Sequence, residues 1–272
     1  MSCKFEYQTI DGLELIACHP EQPARGAPPL IFVHGAFAAA WTWAECFMPR
    51  AAAAGYSSYA VSLRGHGQSF GREHIDHHSI RDYVDDLSRI VEAVGQPPVL
   101  IGHSMGGFVV QKYLEHHSAR AAVLMSSVPP QGLVAATFHL FMKRPGLLME
   151  INGMLADQEI SLASAREALF AKPVSDELLT RFLQRMSKES TRAIWDMSMF
   201  NLVNISAVRR TPLLVLGAEI DQLIPAFLVS ATGHSYAVPA HIFNGFGHAF
   251  PLEPGGEVII DAAVNWLENL LD

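Results

Sequence analysis

The chain opens on strict alternation: Phe5, Tyr7 and Thr9 lead to Asp11-Gly12, and Leu13 and Leu15 alternate beyond it. A period of two interrupted by Asp-Gly predicts two strands joined by a tight turn. Short apolar runs follow: "PLIFVHG" ending at Gly35, "YSSYAVSL" at Leu63, "PPVLIGHS" at Ser104 and "AAVLMSS" at Ser127. Residues 41–54, 79–94 and 105–116 between them carry helical spacing. Apolar runs linked by helix-length crossovers predict parallel strands with helices on both faces of one sheet. After Ser127 the rhythm stops, and from about residue 132 to 206 the pattern is helical with no strand. It resumes with "TPLLVLGAE" and "AHIFNGFGH" and closes on an amphipathic helix, Glu257–Leu271. The expected fold is α/β, a doubly wound, mostly parallel sheet. Residues 1–131 and 206–272 would form the core domain, and residues 132–205 a helical cap over the strand ends, where open α/β sheets bind ligands.

The pattern also places candidate chemistry. Gly102-His103-Ser104-Met105-Gly106 reads G-x-S-x-G between a strand and a helix, where small flanking residues let the backbone reverse and project a serine hydroxyl. A serine nucleophile needs a base and a carboxylate that orients the base. In a sheet wound this way both belong on loops after late strands, in the order Ser, acid, His. "TPLLVLGAEID" delivers Glu219 and Asp221 just past its end, and His248 stands between glycine and alanine after "HIFNGFG". Asp221 and His248 therefore join Ser104 as catalytic candidates, with Glu219 the competing acid. The developing oxyanion needs two amide donors. Met105 follows the nucleophile, and Ala36 lies in the loop after Leu30 to Val33, with Phe37 the fallback.

Composition narrows the partner. Half of the 272 residues are apolar and 17% are charged, so the chain has enough apolar surface to fold alone. A net charge of -8 leaves no basic footprint for nucleic acid or anionic membranes, which points to a small molecule. No apolar run approaches the ~20 residues that span a bilayer, and the N-terminus has no apolar leader core, so neither membrane insertion nor export is expected. Cys3, Cys18 and Cys46 do not form an evident disulfide framework, which favours a reducing, cytoplasmic setting. Six of the ten methionines fall in the helical insert, which suggests an adaptable apolar pocket. Phe37, Trp43 and Trp195 are candidate pocket residues, with Trp41 assigned to core. In "REHIDHH", Arg72 stands where a first histidine ligand would be needed, so His74, Asp76 and His77 are read as a solvated loop and no metal is expected.

His34-Gly35-Ala36, "RGHGQS", "GHSMGG", the glycine before Asp221 and the Gly-His at His248 together resemble the α/β-hydrolase family over nearly the whole chain. "HGA", "GHGQS" and "GHSMGG" are similar to monoacylglycerol lipases and lysophospholipase-like esterases, and "HGAFAAAWTW" to small plant-type methyl esterases and hydroxynitrile lyases. The resemblance implies a serine hydrolase with the Ser104, Asp221, His248 triad, oxyanion donors at Ala36 and Met105, and no cofactor. It also implies that His34 and His103 brace loops. One departure is Ser62, where the family often has Asp. The expected substrate is an ester with an apolar acyl group, cleaved through an acyl-enzyme. The alternatives on the same scaffold are a hydroxynitrile-lyase-type enzyme drawing on Lys143, Lys172 or Lys188, a C–C bond hydrolase, and a non-catalytic ligand receptor. Oligomeric state is left open by the pattern.

Overall fold

Eight strands form one sheet in the computed structural model, which describes residues 3–208 and 210–271. β1 (Lys4–Ile10) and β2 (Leu13–His19) make the hairpin, with Asp11 and Gly12 turning at positive φ. β3 (Leu30–Val33), β4 (Ser58–Val61), β5 (Val99–His103), β6 (Ala121–Met125), β7 (Leu213–Ala218) and β8 (Ala240–Phe243) complete it in the order β1-β2-β4-β3-β5-β6-β7-β8. Every pairing from β4 onward is parallel, and only the hairpin and its junction with β4 are antiparallel.

The helices on this frame are α1 (Trp41–Ala44), α2 (Phe47–Ala53), α3 (Ile80–Val94) and α4 (Met105–Tyr113), then α5 (Val134–Lys143), α6 (Pro145–Met154), α7 (Leu162–Leu169), α8 (Asp176–Leu183), α9 (Thr191–Trp195) and α10 (Ile205–Val208), and finally α11 (Ala226–Tyr236) and α12 (Glu257–Leu271). Strand alternation sorts the side chains into two layers. On β3, Leu30 and Phe32 join the apolar cluster under α2 and α12, while Ile31 and Val33 join the one under α3 and α4. On β6, Ala121, Val123 and Met125 face the first layer and Ala122 and Leu124 the second. These strands are buried on both faces, as continuous apolar runs require, and each large side chain so buried contributes about 1.5–3 kcal/mol.

Two helices differ from the sequence pattern. The one expected over 41–54 is broken at Cys46, whose backbone is non-helical. Pro49 has no N–H to donate to the carbonyl four residues back and its ring crowds that carbonyl, so a new helix must begin just before it. Ser79 caps rather than enters α3, forming a reciprocal capping box with Asp82, and Gly95 ends that helix in the left-handed region. Between β6 and β7 the described residues are helical or irregular, with a π-type turn at Asp196–Phe200 after α9. Side chains of α7 and α8, among them Ala165, Leu179 and Phe182, pack on Ala39, Trp41 and Ala249 at the strand ends. No helix among the described residues is long and apolar enough to cross a membrane.

The expectation of free thiols throughout is corrected at the hairpin, where Cys3 and Cys18 are joined as a disulfide. The register sets Phe5 opposite Cys18, so Cys3 reaches the same rung diagonally, a proximity that spacing along the chain does not display. Cys46 remains free, with burial pushing its thiol up to about 11. Thiol titration of the unreduced, denatured protein should therefore count one reactive cysteine, and a count of three would contradict the pairing. Reduction should lower stability by roughly 3 kcal/mol, the value for a loop of about fifteen residues.

Candidate active site

β5 ends at His103, α4 begins at Met105, and Ser104 between them adopts φ 52°, ψ -119°. Such a conformation is held by its surroundings. The Ser104 amide donates to the Met125 carbonyl at 3.0 Å, and its own carbonyl accepts from Val128 at 3.1 Å. The flanking glycines are required by contact. A Cβ on Gly102 would lie 2.5 Å from the Gly106 carbonyl oxygen, and one on Gly106 would lie 2.2 Å from that of Val33.

Asp221 follows β7 and is buried. Its Oδ1 accepts from the amides of Leu223 (2.9 Å) and Ile224 (2.8 Å), and its Oδ2 from His248 Nδ1 (2.8 Å). His248, on the loop after β8, is also buried. With Nδ1 donating to Asp221, a neutral His248 keeps its lone pair on Nε2. Glu219 is exposed and accepts from the Gly245 amide, so it takes no part in this contact. The amides of Ala36 and Met105 have no hydrogen-bond partner among the described residues, and neither does that of Phe37. Ser104, His248, Ala36 and Phe37 line one cavity of about 140 Å³, whose other walls are almost wholly apolar and include Trp41, Leu169, Phe182 and Leu183.

Residues 30–262 match the alpha/beta hydrolase family profile. The chain belongs to the alpha/beta hydrolase family. Among its relatives is a monoacylglycerol lipase of Mycolicibacterium smegmatis, 24% identical over 242 residues, which are 82% of this chain and 81% of that one. Solved folds like it include a Paleococcus ferrophilus monoacylglycerol lipase (22% identity, TM-score 0.65, covering 99% and 100% of the two chains). A haloalkane dehalogenase from Bradyrhizobium elkani is also similar (15% identity, TM-score 0.73, 99% of each chain). Likeness at this level speaks for the fold and not for the reaction.

Two pocket expectations for this hydrolase are corrected. Trp43 is fully buried in the core against Phe32, Phe47 and His103 and does not line the cavity, while Trp41 lines it and stacks on Phe182. Positions two apart on a helix are separated by about 200° and cannot share a face. Trp195 is half exposed beside Phe200, away from the cavity. The "REHIDHH" segment forms a short 3₁₀ turn (Arg72–His77). Asp76 there binds Lys188 at 2.8 Å and Thr191 at 2.8 Å, clamping the insertion to the core.

Three other buried histidines, His34, His66 and His103, brace loops. His34 Nδ1 donates to the Gly35 carbonyl while Nε2 accepts from the Leu63 amide, which makes the ring neutral. His103 Nε2 donates to the backbone carbonyl of His248 at 2.8 Å. Burial, reinforced by His66 beside His34 and by His248 beside His103, pushes both rings down to about 3. His66 behaves oppositely. Burial alone would lower it, but the Glu189 carboxylate at 3.1 Å raises it, and the Arg64 carbonyl accepts from its other nitrogen. Burial alone would raise Glu189, and His66 overrides that and lowers it.

Sequence reasoning missed three residues. Buried Glu253 accepts from the amides of Gly247, Ala171 and Lys172 at 2.7–2.8 Å, tying the His248 loop to the end of α7. Glu189 does the same on the far side, receiving His66, the Tyr83 hydroxyl and the Ser190 amide. Glu14 explains the departure at Ser62: Ser62 Oγ accepts from the Ala40 amide and donates to Glu14 Oε2 at 2.6 Å. A carboxylate thus reaches this spot from the neighbouring strand. A lone acid on an edge hairpin or a late loop carries no pattern that would reveal these roles.

The two depressed histidines set the acid limb of stability. In the unfolded chain their rings titrate near 6.5, and in the folded chain at about 3, so below pH 6.5 only the unfolded state takes up those protons. Stability is complete above that pH and falls by about 1.4 kcal/mol per pH unit for each ring as the solution acidifies. Denaturant unfolding should show a loss of about 3–4 kcal/mol between pH 6.5 and 5, with His34→Gln roughly halving the slope. A flat profile would contradict the neutral, buried assignment.

Proposed function

We propose that this protein is a carboxylic ester hydrolase acting through an acyl-enzyme, with Ser104 as nucleophile, His248 as base and acid, and Asp221 as the carboxylate that fixes and stabilises the imidazole. The observation that carries the reading is that Ser104 and His248 open onto one apolar cavity while His248 Nδ1 is bound to buried Asp221. In the reaction, His248 Nε2 takes the Ser104 proton as Oγ bonds to the substrate carbonyl carbon. The amides of Ala36 and Met105 receive the oxyanion, each contributing on the order of 3 kcal/mol in the transition state. Collapse breaks the carbon–oxygen bond to the alcohol, and the leaving oxygen takes the proton from His248. Water then adds to the acyl carbon, gives its proton through His248 to Ser104 Oγ, and the carboxylic acid departs.

Relatives that are monoacylglycerol lipases support ester chemistry. The apolar wall supports uncharged substrates with apolar acyl groups. Among the described residues no lysine lines the cavity: Lys172 is held by the Pro254 carbonyl and Phe246, Lys188 by Asp76, and Lys143 is exposed on α5. That favours hydrolysis over a lyase relying on a cationic pocket. Residues 132–205 act in this reading as the cap that dries the site and sorts substrates, and no cofactor takes part.

A fluorophosphonate probe should add its phosphonyl mass to the wild type and leave Ser104→Ala unmodified. His248→Ala should lower kcat toward medium-chain esters by on the order of 10⁶. Folded wild type that neither labels nor turns over an ester would overturn the proposal and favour a ligand receptor.

A further inference from the structure

A second cavity of about 150 Å³ meets the first at Ser104. Ala36, Phe37, Ile151 and Leu223 wall both, forming a waist around the serine. The two arms differ in chemistry. The first contains His248 and the stacked pair Trp41 and Phe182. The second contains Met105 and is walled mainly by aliphatic side chains, among them Leu133, Ala136, Leu140 and Met197, with Thr137 and Asn152 as its uncharged polar lining. Apart from His103 and His248, no titratable side chain among the described residues lines either arm.

Building on the ester-hydrolase reading above, we infer that the substrate is apolar on both sides of its carbonyl: the first arm receives a flat or aromatic alcohol, the second an aliphatic acyl chain. The chemistry fixes the direction. When the bond from the acyl carbon to the alcohol oxygen breaks, that oxygen must collect the proton that His248 took from Ser104, so the alcohol lies in the arm that holds His248. The acyl carbon stays bonded to Ser104 Oγ, and its chain extends into the arm without the imidazole. Similar volumes make the two halves of comparable bulk. A charged group on either half would be buried without a partner, at prohibitive cost.

The experiment is a matrix of acetate to decanoate esters of ethyl, hexyl and benzyl alcohol, read as kcat/KM. Wild type is compared with Ala136→Leu, which narrows the second arm, and Ala165→Leu, which narrows the first. Ala136→Leu should lower decanoate relative to acetate by about tenfold or more while moving the benzyl-to-ethyl ratio less than about twofold, and Ala165→Leu should do the reverse. Should either leucine variant fail to fold, Leu133→Ala and Leu183→Ala widen the same arms and should shift the same ratios the other way. Crossed effects, or both ratios moving together in each variant, would overturn the assignment while fluorophosphonate labelling of Ser104 persists. Absence of both labelling and turnover in folded wild type would instead overturn the hydrolase reading on which it rests.

Discussion

A Cβ at Gly106 would sit 2.2 Å from the Val33 carbonyl oxygen, and the missing atom is what lets α4 press its first turn against the ends of β3 and β5. From that approach the rest of the site follows. Ser104 is forced through a backbone conformation that few residues adopt, at a cost of order 1–3 kcal/mol, offset by the Met125 and Val128 hydrogen bonds that hold it. The loop leaving β3 passes beside the same turn, so the Ala36 and Met105 amides share one small space. A larger residue at Gly102 or Gly106 would part the helix from the sheet and scatter all of these groups together.

The helical insertion is fastened at both of its feet by buried carboxylates. Glu253 gathers three amides from the His248 loop and the end of α7. On the other side Glu189 meets His66 and Tyr83, and two residues earlier the Ser187 amide donates to the Phe37 carbonyl. Each foot therefore lands on a loop bordering Ser104: one carries His248, the other Ala36 and Phe37. Losing either carboxylate would strand buried donors, which costs about 1–3 kcal/mol for each group left unpaired.

What the sequence disclosed and what it hid divide along a physical line. Strands buried on both faces are continuous apolar runs, so the sheet and the strand ends carrying Ser104, Asp221 and His248 were legible. The Asp221 and His248 contact agrees with strand-end reasoning because parallel topology fixes which loops meet. Details depending on rotation about a helix axis were not legible: Trp41 and Trp43 exchanged places, and Trp195 turned outward while Ile194 and Met197 turned in. Nor were contacts that join distant parts of the chain, such as Glu14 behind Ser62, Glu253 beneath the His248 loop, and Cys3 beside Cys18. No local rule marks a residue whose partner is a backbone amide eighty positions away.

Strand order carries one more consequence, concerning the time at which the groups appear. Ser104 emerges in the first half of synthesis, but Asp221 and His248 ride on the loops after β7 and β8, in the last fifth of the chain. At ribosomal rates of about 5–20 residues per second, Ser104 precedes His248 by several seconds or more. A nascent or prematurely ended chain thus bears the hydroxyl without the imidazole. The contact between Asp221 and His248 can form only once both late loops have been made.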